Sequence, residues 1–201
     1  VVPRSVFDEA AGYVGSCEVS HASIGTGQLL HSDASDISLA LADGEFYRSP
    51  GFAELIASVQ ANRLTLHIIG LITATKSPGR LDHLIGCLEL AAQQGLTYVV
   101  VHLLLESGSP NAMLQTLTDL NHHISTRSLG RISSVTGGNW TLNRGGDWSK
   151  IRSTYQALIG RHSDIATIDR LLHNLNQVSD VANLVPTTIV DSTGTPIGPI
   201  R

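Results

Sequence analysis

Cysteine is nearly missing from this sequence: 201 residues contain two, Cys17 and Cys87. One sits in a glycine-rich stretch and the other in an apolar helical pattern. That number and spacing make neither a disulfide framework nor a zinc site, and a reducing, cytoplasmic compartment is the resulting expectation. Charge is sparse too, at 15% of residues, with 13 Lys and Arg against 17 Asp and Glu and a formal net charge of -4. With no basic stripe, bulk electrostatics argue against nucleic acid as a partner. The longest apolar run, Tyr98-Val99-Val100-Val101-His102-Leu103-Leu104-Leu105, is too short to cross a bilayer, which argues against a membrane partner. The first residues do not read as a signal peptide, and the chain starts at Val1 rather than Met, as a piece of a longer protein would. The sequence shows no internal repeats, low-complexity tracts or linkers. Its length suits one domain with a sizeable core.

What is present alternates between two periods. Asp33–Ala42 offers N-cap candidates before apolar residues and predicts a short helix stopped at Asp43-Gly44. Ser49-Pro50 reads as an N-cap followed by Pro at the first helical position. Phe52, Leu55, Ile56 and Val59 then form one apolar face, and Leu64–Leu71 reads as a buried strand. A helix over Arg80–Gln94, closed by Gly95, leads to a second strand over Tyr98–Leu105 that is apolar throughout, as parallel strands tend to be. Met113, Leu117, Leu120 and Ile124 mark a third helix, and Arg131–Val135 a third strand. A long loop through Trp140 precedes helices over Trp148–Ile159 and Ser163–Gln177. Pro186–Asp191 and Ile197–Ile200 suggest a terminal hairpin. The expected fold is an α/β three-layer sandwich: a mostly parallel sheet, helices on both faces and a C-terminal hairpin. Ligands of such sheets bind outside the carboxyl ends of the strands, so the loops at Thr73–Gly79, Glu106–Pro110 and Thr136–Asp147 should line one edge.

The stretch around which the chemistry gathers is Gly12-Tyr13-Val14-Gly15-Ser16-Cys17-Glu18-Val19-Ser20-His21-Ala22-Ser23-Ile24-Gly25-Thr26-Gly27. It reads as a glycine-rich loop, with a thiol followed by a carboxylate one residue on and an imidazole four residues on. Such a loop can present a nucleophile, hold a metal or cradle a phosphate, or be no more than a loop. His67 and His102 fall in buried strands and read as hydrogen-bonded core or edge histidines. His122-His123 reads as a solvated helix end, because adjacent helical residues do not share a face. Trp140 and Trp148 read as core anchors.

That stretch resembles the G-N-S-E-V-G-H-x-N-x-G-A-G-R loop of cofactor-independent phosphoglycerate mutases, with Cys17 at the position of the family's nucleophilic Ser. Leu66-His67-Ile68-Ile69-Gly70-Leu71-Ile72-Thr73 is similar to L-H-L-x-G-L-L-S, and Val101-His102-Leu103-Leu104-Leu105-Glu106 to the H-x-F-L-D segment. Ile132 through Arg144, with Trp148, resembles I-x-S-x-x-G-R-Y-Y-x-M-D-R-D-x-R-W. The resemblance covers nearly the whole chain. It implies that residues 1–201 are the family's substrate-binding (phosphotransferase) domain, without the alkaline-phosphatase-like domain that binds two Mn²⁺ or Mg²⁺ ions. No cofactor is then expected within this chain, and that metal-binding domain is the expected partner in cis.

The charged groups depart from the family pattern. Ala74-Thr75-Lys76-Ser77-Pro78 replaces its D-G-G-V-H loop, Gly108-Ser109 its R-D pair, Gly138 the Arg of G-R-Y-Y, and Asp147 the last Arg before Trp. Arg144 matches a substrate-binding Arg, His21 stands at the family's G-H position, and Lys76 offers a point charge. These three are the substrate-binding candidates, for phosphoglycerate or another small phosphate ester, and Cys17 is the catalytic candidate. A thiolate is a good nucleophile, but Mn²⁺ and Mg²⁺ prefer oxygen ligands, and a Cys can also simply fill a Ser-shaped space. Losing Arg forks gives up bidentate charge-assisted hydrogen bonds. The expectation is a catalytically degenerate domain, inactive in isolation, of a divergent mutase. Its rivals are a pseudoenzyme that binds or regulates, and a Cys-dependent enzyme using Cys17 with His21.

Overall fold

The computed structural model describes residues 17–28, 30, 32–73, 81–162 and 164–201, except for the side chain of Cys17. The elements run α1 (Cys17–Thr26), α2 (Asp33–Asp43), α3 (Pro50–Ala61), β1 (Leu66–Ile72), α4 (Leu81–Gln93), β2 (Val99–Leu105), α5 (Pro110–Arg127), β3 (Arg131–Gly137), α6 (Gly138–Thr141), α7 (Trp148–Leu158), β4 (Ile165–Ala166), α8 (Ile168–Leu175) and β5 (Thr187–Ile189). Short 3₁₀ turns occupy Phe46–Arg48 and Val181–Asn183. The strands form one sheet in the order β1-β2-β3-β5-β4. β1, β2 and β3 are parallel, and β5 runs antiparallel to β3 but parallel to β4.

The alternation of side chains along the strands sorts the layers. Val101, Leu103 and Leu105 of β2, with Ile72 and Val135, are wholly buried on one face. They pack with Leu84 and Leu88 of α4, Met113, Leu117 and Ile124 of α5, and Leu171 and Leu175 of α8. The other face is more polar. There Thr188 donates its hydroxyl to the carbonyl of Ala157 in α7 at 3.1 Å. The C-terminal segment closes over the same face, with Ile200 N–H bonded to the Leu158 carbonyl at 3.0 Å. The three-layer α/β arrangement expected from the sequence is thus the one observed.

Several boundaries differ for identifiable reasons. Ser49 precedes α3 but makes no side-chain cap, leaving Pro50 as the operative start signal. The helix expected from Ser163 begins only at Ile168. Ile165-Ala166 pairs with β5, and Thr167 caps α8 by accepting from Arg170 N–H at 3.4 Å. The terminal hairpin narrows to one bridge, Val190 with Pro196. Its turn is held by Asp191, whose carboxylate accepts from Thr193 N–H at 2.8 Å, the Thr193 hydroxyl at 2.6 Å and Thr195 N–H at 3.1 Å. The stretch read as a glycine loop becomes helix α1 from Cys17 onward, with Glu18 in its first turn. Between Cys17 and Ile24 there is no glycine, so nothing there opposes a helix; Gly12, Gly15 and Ser16 lie outside the described residues. Trp148 is 76% exposed rather than a core anchor, because it opens α7 directly after the capping residue.

Inside the polar face lies a chain of three side chains on three strands. His67 Nδ1 meets His102 Nε2 at 3.1 Å, and His102 Nδ1 meets the Ser134 hydroxyl at 2.8 Å. The two rings are stacked, 5.4 Å between centroids. A shift in the β2–β3 register between Val101 and His102 brings Ser134, rather than Ser133, opposite His102. His102 has no exposed surface, and burial, then the neighbouring His67, lowers its pKa to about 4. Burial also lowers the pKa of His67. An unfolded histidine takes a proton near 6.5, so between that value and about 4 the unfolded chain binds more protons than the folded one. This contribution to stability is full above pH 6.5 and is lost as pH falls toward 4. At about 1.4 kcal/mol per unit, the loss at His102 is of order 3 kcal/mol. Urea unfolding at a series of pH values should show it. His102→Gln, which keeps hydrogen-bonding groups but cannot titrate, should lose distinctly less stability across the same window; an unchanged slope would contradict the assignment.

Candidate functional site

The carboxyl ends of β2 and β3 open onto a cleft of about 330 Å³. The sequence after each strand builds its walls. Beyond β2, Glu106 continues the sheet by one residue, its N–H bonded to the Ile72 carbonyl at 2.9 Å. Ser107 follows, and both line the cleft. Beyond β3, Gly138 starts the one-turn helix α6, and the stretch from Asn139 to Lys150, with Ala182 of the Val181–Asn183 turn, supplies the rest of the wall.

Gly137 and Gly138 fix how close these walls come. A β-carbon at Gly137 would run into the Ala182 carbonyl, while the Gly137 N–H bonds the Leu184 carbonyl at 2.9 Å. A β-carbon at Gly138 would sit 3.1 Å from the Leu105 carbonyl oxygen and 3.8 Å from the α-carbon of Glu106. The backbone of β3 is therefore pressed against the Val181–Asn183 turn on one side and the β2 exit on the other.

Asp180 ties these parts together. Its carboxylate accepts from the Ser107 hydroxyl at 2.6 Å, Ala182 N–H at 2.9 Å and Gly108 N–H at 3.1 Å. Those bonds, the Ser107 hydroxyl first, hold its pKa below the usual carboxylate range. Asn183 adds two more ties, accepting from Asn139 Nδ2 at 2.8 Å and, through its carbonyl, from the Trp140 indole at 3.3 Å.

The cationic side follows from two local motifs. Asn143 accepts the Gly145 N–H at 2.8 Å, which turns the chain and sets Arg144 at the tip. Arg144 is exposed, lines the cleft, and makes no side-chain hydrogen bond or ion pair among the described residues. Asp147 caps α7: it accepts from the Ser149 hydroxyl at 2.6 Å, Ser149 N–H at 3.1 Å and Lys150 N–H at 3.4 Å. These bonds, chiefly the hydroxyl, lower its pKa. In the first turn of α7, Lys150 also lines the cleft, its ammonium 5.9 Å from the Trp140 ring centroid.

Of the sequence-predicted residues, Arg144 stands in the cleft. His21 is exposed on α1 and is not among the lining residues. Cys17 is the first residue of α1, and Lys76 falls outside the described residues. Glu106, Asn139, Lys150 and Asp180 were not singled out from sequence. Glu106 and Lys150 could have been found from their places, at a strand exit and just inside a capped helix. Among the described residues, no three His, Cys, Asp or Glu side chains gather into a set that could hold a metal ion.

The family model described as BPG-independent PGAM N-terminus matches residues 37–201. The 2,3-bisphosphoglycerate-independent phosphoglycerate mutase of Chloroflexus aggregans is 32% identical over 194 residues, covering 94% of this chain and 36% of the relative. That of Methanococcoides burtonii is 27% identical over 192 residues, covering 93% and 37%. The crystal structure of Leishmania mexicana phosphoglycerate mutase at low cobalt concentration shares the fold at TM-score 0.80 and 22% identity, over 98% of this chain and 38% of that one. The chain thus spans little more than a third of the length of the curated relatives it matches.

Asp180→Ala strands the Ser107 hydroxyl and two backbone N–H groups. It should cost about 2 kcal/mol and speed amide exchange at Gly108 and Ala182, while Asp180→Asn, which can still accept, should cost less. Chemical denaturation with hydrogen exchange measures both; unchanged exchange at Gly108 would show that the clamp does not hold the β2 exit.

Proposed function

This chain belongs to the family of BPG-independent phosphoglycerate mutase N-terminal domains, and from that premise we propose that its cleft binds a small phosphate ester, phosphoglycerate or a relative of it. The domain serves as the substrate-binding part of a divergent mutase and is catalytically degenerate and inactive by itself. The observation that carries the reading is Arg144, a guanidinium with no other partner among the described residues, standing in the cleft outside the strand ends. There it can fork two hydrogen bonds onto a phosphate. Lys150 adds a second positive charge, and the Asp180 clamp keeps Ser107 and Gly108 from collapsing into the space.

Degeneracy rests on the replaced groups. Gly108 and Gly138 provide no charge where the family pattern has arginines, and Asp147 is committed to capping α7. Cys17, at the nucleophile position, heads α1 as an inert residue of Ser-like size. Turnover would need a companion domain in cis carrying Mn²⁺ or Mg²⁺, and the compartment proposed is the cytoplasm. Among the described residues no helix is long and apolar enough to cross a membrane. The conversion of Asp147 to a structural cap also favours a second reading, in which the domain persists as a binding or regulatory module without turnover.

Titration of the chain with inorganic phosphate and 3-phosphoglycerate, followed by amide NMR, tests the reading. Millimolar ligand should shift Asn139, Arg144 and Gly145. Arg144→Ala should weaken binding about tenfold or more, the scale of a lost charge-assisted pair of bonds. Silence at these amides up to tens of millimolar would leave the module reading in its place.

A further inference from the structure

Helix α7 is packed inside out. At its 3.6-residue period Lys150, Ser153, Thr154, Ala157 and Leu158 share the face turned toward β3 and β5, and each is buried or half-buried. The opposite face carries the large side chains. Trp148, Ile151 and Tyr155 follow the i, i+3, i+7 spacing of one stripe and are 76%, 37% and 60% exposed. Arg152 falls in the same stripe and is exposed. A helix that closes a domain normally buries its large apolar residues and turns its polar ones outward. Here small side chains bring α7 close to the sheet, and the large ones are left open among the described residues. Single exposed apolar residues are ordinary. Two aromatics, an isoleucine and an arginine in one helical stripe have the make-up of an interface centre.

Charge selects the partner. Between Asn139 and Gly160 the cations are Arg144, Lys150 and Arg152, and the one acid, Asp147, has its carboxylate engaged as the cap of α7. This face is therefore positive on a chain whose formal net charge is -4. A second copy of the chain would bring the same cations against it, whereas an acidic surface with apolar residues of its own complements it. The stripe starts directly after the connection that carries Arg144, and Lys150 of the same helix lines the cleft, so a body covering the stripe borders the cleft as well. The chain spans little more than a third of the length of its relatives, which leaves a polypeptide large enough to supply such a body. Resting on the companion domain in cis of the proposed function, we infer that the outward stripe of α7 is the docking face for that domain, which meets it with an acidic surface bearing apolar side chains.

Acrylamide quenching of tryptophan fluorescence in the ligand-free full-length protein tests this, with the 201-residue chain as the undocked reference. Subtracting the signal of the Trp148→Phe variant of each isolates Trp148. In the chain Trp148 should quench freely; in the full-length protein it should be strongly protected, with its emission moved to the blue. Tyr155→Ser and Arg152→Glu lie on the surface and outside the cleft. Each should shift docking about tenfold toward the open state and return quenching toward that of the chain. Arg152→Lys should keep most of the protection, and none of the three should change the thermal stability of the chain. Raised salt should act in the same direction as Arg152→Glu. A Trp148 as open to quencher in the full-length protein as in the chain overturns the inference. So does protection that survives both Tyr155→Ser and Arg152→Glu, and so does concentration-dependent protection in the chain alone, which would make a second copy the occupant. With no ligand present, each of these failures leaves the phosphate-ester reading standing.

Discussion

The approach of two backbones at the end of β3 is the constraint on which the candidate site depends. Gly137 lies against the Ala182 carbonyl with no room for a β-carbon and donates to Leu184. That contact seats the Val181–Asn183 turn on the strand, and the seated turn brings Asp180 to the exit of β2. Asp180 then fixes Ser107 and Gly108, and Asn183 fixes α6. The cleft is thus bounded by parts distant in sequence that meet because one residue has no side chain. Any side chain at this position would push the turn off the strand and loosen both walls together.

Most of the fold was legible because it depends on periodicity. The apolar run of β2 and the helical spacing of Met113, Leu117, Leu120 and Ile124 report burial that tertiary packing then satisfied, and Gly95, at φ 75, reports the end of α4. What was misread is short or decided across the sheet. Ile165-Ala166 has too few residues to show a period, and its strand state comes from pairing with β5. The α1 segment was misread because the glycines before it and at its end, Gly25 and Gly27 among them, were taken as a property of the whole stretch.

The site was legible by place more than by residue. The loops after β2 and β3 were correctly expected to meet at one edge, with Arg144 within it, while the expected loop after β1 lies outside the described residues beyond Thr73. Glu106, Lys150, Asn139 and Asp180 were missed because their roles depend on which loops meet, which a linear pattern does not record. Asp180 lies 72 residues from the Gly108 amide that it holds. Comparison with the family pattern drew attention to charges that had been lost and away from the carboxylate that remained, and its sign is what makes the cleft mixed in charge.

The register shift in β3 also governs which lengths of this strand the fold can accept. Ile132 pairs with Val101 and Ser134 with His102, so the two residues between which the face changes are both even-numbered. The strand changes phase at its middle, and the repeated Ser133-Ser134 marks where. A sequence one residue shorter at that pair would run in a single phase and still place Ile132 in the core and Val135 beside Leu103. Removing a residue elsewhere between Arg131 and Gly137 would reverse part of the strand, turning polar side chains inward. The middle of this strand is therefore the point at which it tolerates loss of one residue, and its ends, where the glycine contact sits, are not.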